Sequence, residues 1–253
     1  MTLLSVNINK IALIRNSRSG NYPDLICYAK KCIEYGAAGI TVHPRPDQRH
    51  IRASDIAPLA DLVACFPAVE FNIEGNPFAA TQGSYPGFVA LAEQSRPHQC
   101  TLVPDNNAQL TSDHGFNLYQ DGDKLLPIIQ QLHSYGCRVS LFMEPDCEQI
   151  TLARQLGADR IELYTGPYAA AYLHNSTEYE STLAAHRVAA AHATSLGLGV
   201  NAGHDLNLFN LPAYVSALPA LLEVSIGHAL TVDALEMGLQ HTIQAYIQAL
   251  AST

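Results

Sequence analysis

The sequence predicts a single (β/α)8 barrel that spans residues 1–253. Short apolar runs typical of strands alternate with longer helical patterns along the whole chain, and there are eight of each. That number and the length of 253 residues match one such barrel. An open doubly wound sheet is the alternative, but no glycine-rich dinucleotide-binding turn follows the first predicted strand.

The strand predictions rest on short runs of apolar, β-branched and aromatic residues bounded by polar residues, glycine or proline. In chain order they are Leu3–Ile8, Gly39–His43, Val69–Glu74, Gln99–Pro104, Arg138–Glu144, Arg160–Thr165, Gly199–Gly203 and Glu223–His228.

Helices are predicted between these strands, and several end just before a glycine, as at Gly36, Gly136, Gly157 and Gly197. Glycine in that position supplies the left-handed cap of a tight helix-to-strand loop. The predicted helices are Pro23–Tyr35, Ser54–Cys65, Pro86–Gln94, Asp123–Tyr135, Cys147–Leu156, Glu180–Leu196, Leu211–Leu221 and Thr231–Ala251.

The composition limits the classes of function. With 23 Asp and Glu against 14 Lys and Arg, the formal net charge is −9, so a broad nucleic-acid surface is not expected. No apolar run is long enough to cross a bilayer, and no export signal is visible. The six cysteines show no C-x-x-C spacing and are expected to be reduced, which favours a soluble, cytoplasmic protein.

Polar residues collect at the carboxyl ends of the predicted strands, where barrels of this kind carry their chemistry. They include three histidines and three glutamates, which suit either acid–base catalysis or metal binding. The residues are Asn7, Asn9, His43, Arg45, Asn72, Glu74, Glu144, Glu162, Tyr164, Asn201, His204 and His228.

Glu74 is the strongest candidate for a general base. It shares the alternating face of its strand with Asn72, opposite Phe71 and Ile73, and should therefore point into the barrel. Burial there would raise the pKa of its carboxyl group. The alternative is a structural ion pair with Arg45 or Arg138.

Two kinds of segment suggest local anion sites. Gly227-His228 and the segment Asn201–His204 follow the last two strands, where helix N-termini bind phosphate in this fold, although such glycines are often only turn residues. The segments His43–His50 and Arg15–Arg18 add arginines after the first two strands, either as anion clamps or as solvated loops.

Metal binding by His43, Glu74, Glu144 and His204 is a competing interpretation, but no H-E-x-x-H or other metal motif supports it. A serine or cysteine nucleophile has less support, because no G-x-S-x-G occurs and the cysteines lie in apolar patterns.

Eight short motifs in order give the sequence a family resemblance. They are Val6–Ala12 with Arg15–Arg18, Gly39–Arg45 with Arg49–Ile51, Asn72–Glu74, Leu102–Pro104, Val139–Phe142, Ile161–Gly166, Val200–His204 and Ile226–Ala229. Together they resemble the pyridoxine 5′-phosphate synthase family, almost end to end.

The resemblance implies a (β/α)8 barrel that condenses 1-deoxy-D-xylulose 5-phosphate with 3-amino-2-oxopropyl phosphate. Phosphate and water are released, and the pyridine ring of vitamin B6 is formed. It implies no metal and no organic cofactor, small phosphorylated substrates as partners, and assembly into a homo-oligomer, an octamer.

The resemblance also assigns roles to individual positions. His43 and Glu74 match proton acceptors, His204 a proton donor and Glu162 a transition-state stabiliser. The ketose-phosphate positions are Asn9, Lys10, Arg45, His50 and Thr111, and the amino-ketone phosphate positions are Asn7, Arg18, Asp205, Gly227 and His228.

Three features depart from the family pattern. Asn9-Lys10 replaces the usual Asp-His, Asp205 replaces a glycine beside the expected phosphate, and Gly75–Tyr85 resembles an insertion. A carboxylate next to a phosphate is unfavourable unless a cation such as Lys10 compensates it. These departures leave two alternatives open: a divergent paralogue that acts on another phosphorylated ketose or amino-ketone, and a non-catalytic phosphate-binding barrel.

Overall fold

Eight parallel strands close into a barrel in the computed structural model, which describes residues 1–251. Neighbouring strands follow chain order, and the last pairs with the first, so the sheet has no free edge. The strands are β1 Leu3–Asn7, β2 Gly39–Val42, β3 Glu70–Gly75, β4 Gln99–Leu102, β5 Arg138–Met143, β6 Arg160–Tyr164, β7 Gly199–Gly203 and β8 Leu221–Ile226. The predicted (β/α)8 barrel is confirmed.

Helices surround the barrel, and their apolar faces pack on the outward side chains of the strands. They are α1 Asn9–Asn16, α2 Leu25–Glu34, α3 Ala53–Ala64, α4 Phe88–Ser95, α5 Leu118–Ser134, α6 Cys147–Gln155, α7 Gly166–Leu173, α8 Tyr179–Ser195, α9 Leu211–Ala217, α10 His228–Met237 and α11 Leu239–Ala251. No helix within residues 1–251 is both long and apolar enough to cross a membrane.

The helix predictions were wrong at four places. Neither α1 nor α7 was predicted; in α7 the Gly166-Pro167 pair resembles a turn, although proline is well accepted in a first helical turn. The predicted helix Thr231–Ala251 is two helices, because Gly238 adopts φ 78° between them. α5 begins at Leu118, earlier than the predicted Asp123, and Gly122 lies inside the helix.

The side chains inside the barrel form successive layers, of which the first is charged and the next is neutral. At its amino end, Arg138 pairs with Glu70 and Arg160 lies 3.8 Å from Glu223. Above this floor is a neutral layer in which hydroxyl and amide groups hydrogen-bond across four strands. Its members are Ser5, Thr41, Asn72 and Thr101, joined at 2.7, 3.4 and 3.1 Å. The carboxyl ends of the strands lie beyond this layer.

Candidate active site

A cavity of about 320 Å³ opens at the carboxyl ends of the strands. Most of the predicted site residues line it, although they come from seven different β-to-α junctions. The lining includes Asn7, Asn9, Lys10, His43, Arg45, His50, Glu74, Thr111, Glu162, His204, Asp205, Gly227 and His228. The sequence-based expectation that these residues converge on one mouth is therefore supported by the geometry.

Glu74 points into the cavity from β3, as the alternation of that strand predicts. Its carboxylate accepts hydrogen bonds from Asn7 Nδ2 at 3.2 Å and Ser225 Oγ at 3.4 Å. Burial raises the pKa of this carboxyl group to about 8. The structural alternative for Glu74 is wrong, because Arg45 pairs with Asp105 and Arg138 with Glu70.

His43 stands directly beyond β2 and faces two carboxyl groups. Its Nδ1 lies 3.9 Å from Glu74 Oε2, and its Nε2 lies 3.3 Å from Asp105 Oδ2, without hydrogen-bond alignment. Burial, with the nearby positive charge of Arg45, lowers the pKa of His43 to about 3. The imidazole is therefore neutral at physiological pH and able to accept a proton.

Glu162 projects from β6 into the lower part of the same cavity and is only 4% exposed. Burial raises the pKa of its carboxyl group well above the usual range, and Glu74 and Glu223 add to this effect. Its Oε2 has no hydrogen-bond partner among residues 1–251. Gly203 makes room for it, since a Cβ there would lie 2.9 Å from Glu162 Oε1.

Asp105 is a buried site residue that the sequence analysis did not single out. It follows β4 at Pro104-Asp105, a strand end of the same kind as the others, and this position was the available signal. Its carboxylate binds Arg45 Nη2 and accepts a hydrogen bond from Ser112 Oγ at 3.3 Å. Asp105 thereby fixes Arg45 at the cavity wall, next to His43.

The arginines of the predicted anion clamps are held mainly by the protein itself. Arg45 also donates to the carbonyls of Asn106 and Gln109, at 3.2 and 3.1 Å. Arg49 binds Asp47 and carbonyls of the loop after β4, and it does not line the cavity. Phosphate binding by Arg45 stays a prediction.

The expectation that Arg15 adds positive charge at the rim is wrong. Its side chain is 1% exposed and forms a two-pronged ion pair with Asp55, at 2.7 and 2.9 Å. It also donates to the carbonyl of His50 at 3.1 Å, so it supports the loop that carries His50. Arg18 is exposed and does not line the cavity, and its role stays a prediction.

The predicted phosphate segment Gly227-His228 forms the start of α10, which begins at the cavity. Gly227 is packed against Asn7, and a Cβ at this glycine would lie 3.0 Å from the Asn7 side chain. Asn7 Oδ1 in turn accepts a hydrogen bond from Asn9 N at 3.0 Å, and Asn9 Oδ1 accepts one from His43 N at 2.9 Å. This chain of contacts orders the wall between β1, β2 and β8.

His204 lies on the opposite wall, in an uncommon left-handed backbone conformation with φ 81°. Its ring contacts Tyr164 and Phe142, with centroid separations of 5.8 and 6.4 Å. Its Nε2 is 2.6 Å from Thr111 Oγ1, and its Nδ1 is 2.7 Å from Asp205 Oδ2. The predicted ketose-phosphate residue Thr111 is thus brought to the predicted proton donor.

The metal alternative receives no geometric support from the described residues. Within residues 1–251, no group of three His, Cys, Asp or Glu side chains is arranged to hold a metal ion.

The family described as "Pyridoxal phosphate biosynthesis protein PdxJ" matches residues 4–252. A protein named pyridoxine 5′-phosphate synthase from Xanthomonas campestris pv. campestris (strain B100) is 53% identical over 250 residues, covering 99% of this chain and 96% of the relative. Its namesake from Xylella fastidiosa (strain 9a5c) is 51% identical over 251 residues, covering 99% and 95%.

Solved structures with the same architecture are much more distant in sequence. Phosphoribosyl anthranilate isomerase from Thermotoga maritima superposes with a TM-score of 0.57 at 10% identity, covering 100% of both chains. Tryptophan synthase from M. tuberculosis gives a TM-score of 0.63 at 9% identity, covering 98% of this chain and 93% of that one. These similarities concern the fold alone.

Proposed function

Because this chain belongs to the pyridoxal phosphate biosynthesis protein PdxJ family, we propose that its cavity carries out the pyridoxine 5′-phosphate synthase reaction. The two substrates are 1-deoxy-D-xylulose 5-phosphate and 3-amino-2-oxopropyl phosphate, and the other products are phosphate and water. The observation that carries the proposal is the convergence of His43, Glu74, Glu162 and His204 on one cavity. In addition, relatives of this chain that are named pyridoxine 5′-phosphate synthase match almost its full length.

The arrangement provides the several proton transfers that ring formation needs. Imine formation, loss of phosphate and water, and ring closure each move protons, so a single acid or base is not enough. Glu74 and the neutral His43 lie on one wall of the cavity and accept protons. His204 lies on the opposite wall and donates a proton. Glu162, whose pKa is raised by burial, supplies in its protonated form a hydrogen bond to negative charge that develops on the substrate.

The two phosphate groups are assigned to two parts of the rim. The start of α10 at Gly227-His228 offers backbone N–H groups and the positive end of a helix dipole. Arg45, His50, Lys10 and Thr111 lie on the wall assigned to the ketose phosphate. We extend the proposal to a cytoplasmic homo-oligomer with small-molecule partners and no nucleic-acid partner, consistent with the net charge of −9.

The direct test is turnover by the purified protein. With both substrates present, we expect inorganic phosphate and pyridoxine 5′-phosphate in equal amounts, and neither product when one substrate is omitted. Chromatography and a colorimetric phosphate assay measure them independently. No product at high enzyme concentration would reject the proposal. Turnover of a different ketose phosphate would instead support the divergent-paralogue alternative.

The pH dependence of the reaction should report the ionisation of Glu74. A proton acceptor must be ionised, and burial holds the pKa of this group at about 8. We therefore expect kcat/KM to show a rising limb of about tenfold per pH unit between pH 6 and 7.5, which reports ionisation of Glu74. His43 stays neutral throughout this range, so its ionisation does not contribute to the pH profile.

Ser225→Ala is the matched variant for this profile. The hydrogen bond from Ser225 lowers the pKa of Glu74, so its removal should move the rising limb to higher pH. A wild-type profile that is flat from pH 6 to 8 would show that Glu74 is not the titrating base.

A further inference from the structure

The carboxylate of Asp205 is directed at the ring of its neighbour His204. Asp205 Oδ2 lies 2.7 Å from His204 Nδ1, a normal distance for a charge-assisted hydrogen bond. From the sequence, Asp205 is expected to lie beside a phosphate, where Lys10 or another cation would have to compensate its charge. Within residues 1–251, Asp205 pairs with His204 and with no lysine or arginine.

The contact determines which ring nitrogen faces the cavity. A carboxylate accepts hydrogen bonds, so Nδ1 must carry the proton that lies between them. In the neutral ring Nε2 is then bare, and it accepts the hydrogen bond from Thr111 Oγ1 at 2.6 Å. When the ring is protonated, its second proton is on Nε2, on the cavity side, where a proton donor needs it.

The backbone around this pair is fixed by separate contacts. His204 N donates to Ser225 O at 3.3 Å, and Asn210 Nδ2 donates to the carbonyl of Asp205 at 3.2 Å. The Thr165 hydroxyl binds the carbonyl of Gly203 just before the pair. Because these contacts hold the turn, the side chain of Asp205 is free to act on the ring alone.

We propose that Asp205 is a positioning residue for His204, which holds Nδ1–H on its carboxylate and presents Nε2 to the substrate. The proposal rests on the proposed function, in which His204 donates a proton. Asp205 therefore acts through His204 and not as a ligand of the amino-ketone phosphate.

Kinetics of Asp205→Gly and Asp205→Asn test this role. We expect kcat to fall about 10- to 100-fold in both variants, with KM for 3-amino-2-oxopropyl phosphate changed less than about twofold. If Asp205 instead acts on the phosphate, the glycine variant will have a lower KM and an unchanged kcat, and the proposal is rejected.

Asp159→Asn is the matched control. Asp159 forms a similar pair with His133 at 2.8 Å, at the other end of the barrel. The kcat of Asp159→Asn should therefore equal that of the wild type.

A second measurement does not depend on activity. Long-range proton–nitrogen NMR spectra of protein labelled with ¹⁵N-histidine, with His204 assigned by its loss in His204→Gln, identify the protonated ring nitrogen. We expect Nδ1–H in the neutral ring of the wild type, and mainly Nε2–H, the tautomer favoured in water, in Asp205→Gly. A bare Nδ1 in the wild type would overturn the proposal, whereas absence of turnover by the wild type would instead count against the proposed function.

Discussion

Glu74→Gln is expected to abolish most of the activity and, at the same time, to stabilise the protein. Loss of a general base lowers kcat by roughly 10²- to 10⁴-fold. The amide has nearly the shape of the protonated carboxyl group, so the contacts with Asn7 and Ser225 can be kept. The wild-type carboxyl group must release its proton on unfolding at neutral pH, because its pKa falls from about 8 to its ordinary value.

The sign of the stability effect follows from the raised pKa. Wild-type stability falls as the pH rises from about 4.5 to about 8, since the unfolded chain is ionised in this range and the folded chain is not. The variant lacks this titration. Its free energy of unfolding should exceed that of the wild type by on the order of 3 kcal/mol at pH 7, and by little at pH 4.5.

Urea unfolding at several pH values measures the effect, and Glu70→Gln is the control on the same strand. Its hydrogen bonds with Arg138 lower the pKa of Glu70, so this substitution should destabilise the protein while catalysis continues. Equal stability of Glu74→Gln and wild type at pH 7 would show that Glu74 is ionised in the folded protein.

Arg15→Met is expected to cause the largest loss of stability. Removal of one member of a buried ion pair leaves Asp55 without its main partner, which costs about 3 to 5 kcal/mol. Lys30→Met breaks an exposed pair on α2 and should cost less than about 1 kcal/mol. Urea unfolding of the two variants and the wild type measures these differences in the free energy of unfolding.

The same substitution should also affect substrate binding. Arg15 and Asn16 both donate to the carbonyl of His50, at 3.1 and 2.7 Å, so α1 holds the loop that brings His50 to the cavity. We expect a higher KM for the ketose phosphate in Arg15→Met, with a smaller change in kcat. An unchanged KM for the ketose phosphate in Arg15→Met would show that the ion pair does not hold the loop.

Sequence reasoning was successful where a periodic pattern determines the structure. The alternation of strands and helices predicted the barrel, and the alternation within β3 predicted that Glu74 points inward. It was less successful where tertiary contacts decide. The position of Arg15 after the first strand predicted positive charge at the rim, but Asp55, 40 positions away, pairs with it in the interior. The contact between Asp205 and His204 could not be predicted either, since the direction of a side chain in a loop cannot be read from the sequence.

The neutral layer of Ser5, Thr41, Asn72 and Thr101 lies between the charged floor of the barrel and its mouth, on the side formed by β1 to β4. On β3, hydrogen bonds from Arg138 lower the pKa of Glu70 below this layer, whereas burial raises the pKa of Glu74 above it, about 13 Å away. Paired charges at the floor and a carboxyl group with a raised pKa at the mouth can therefore lie on one strand.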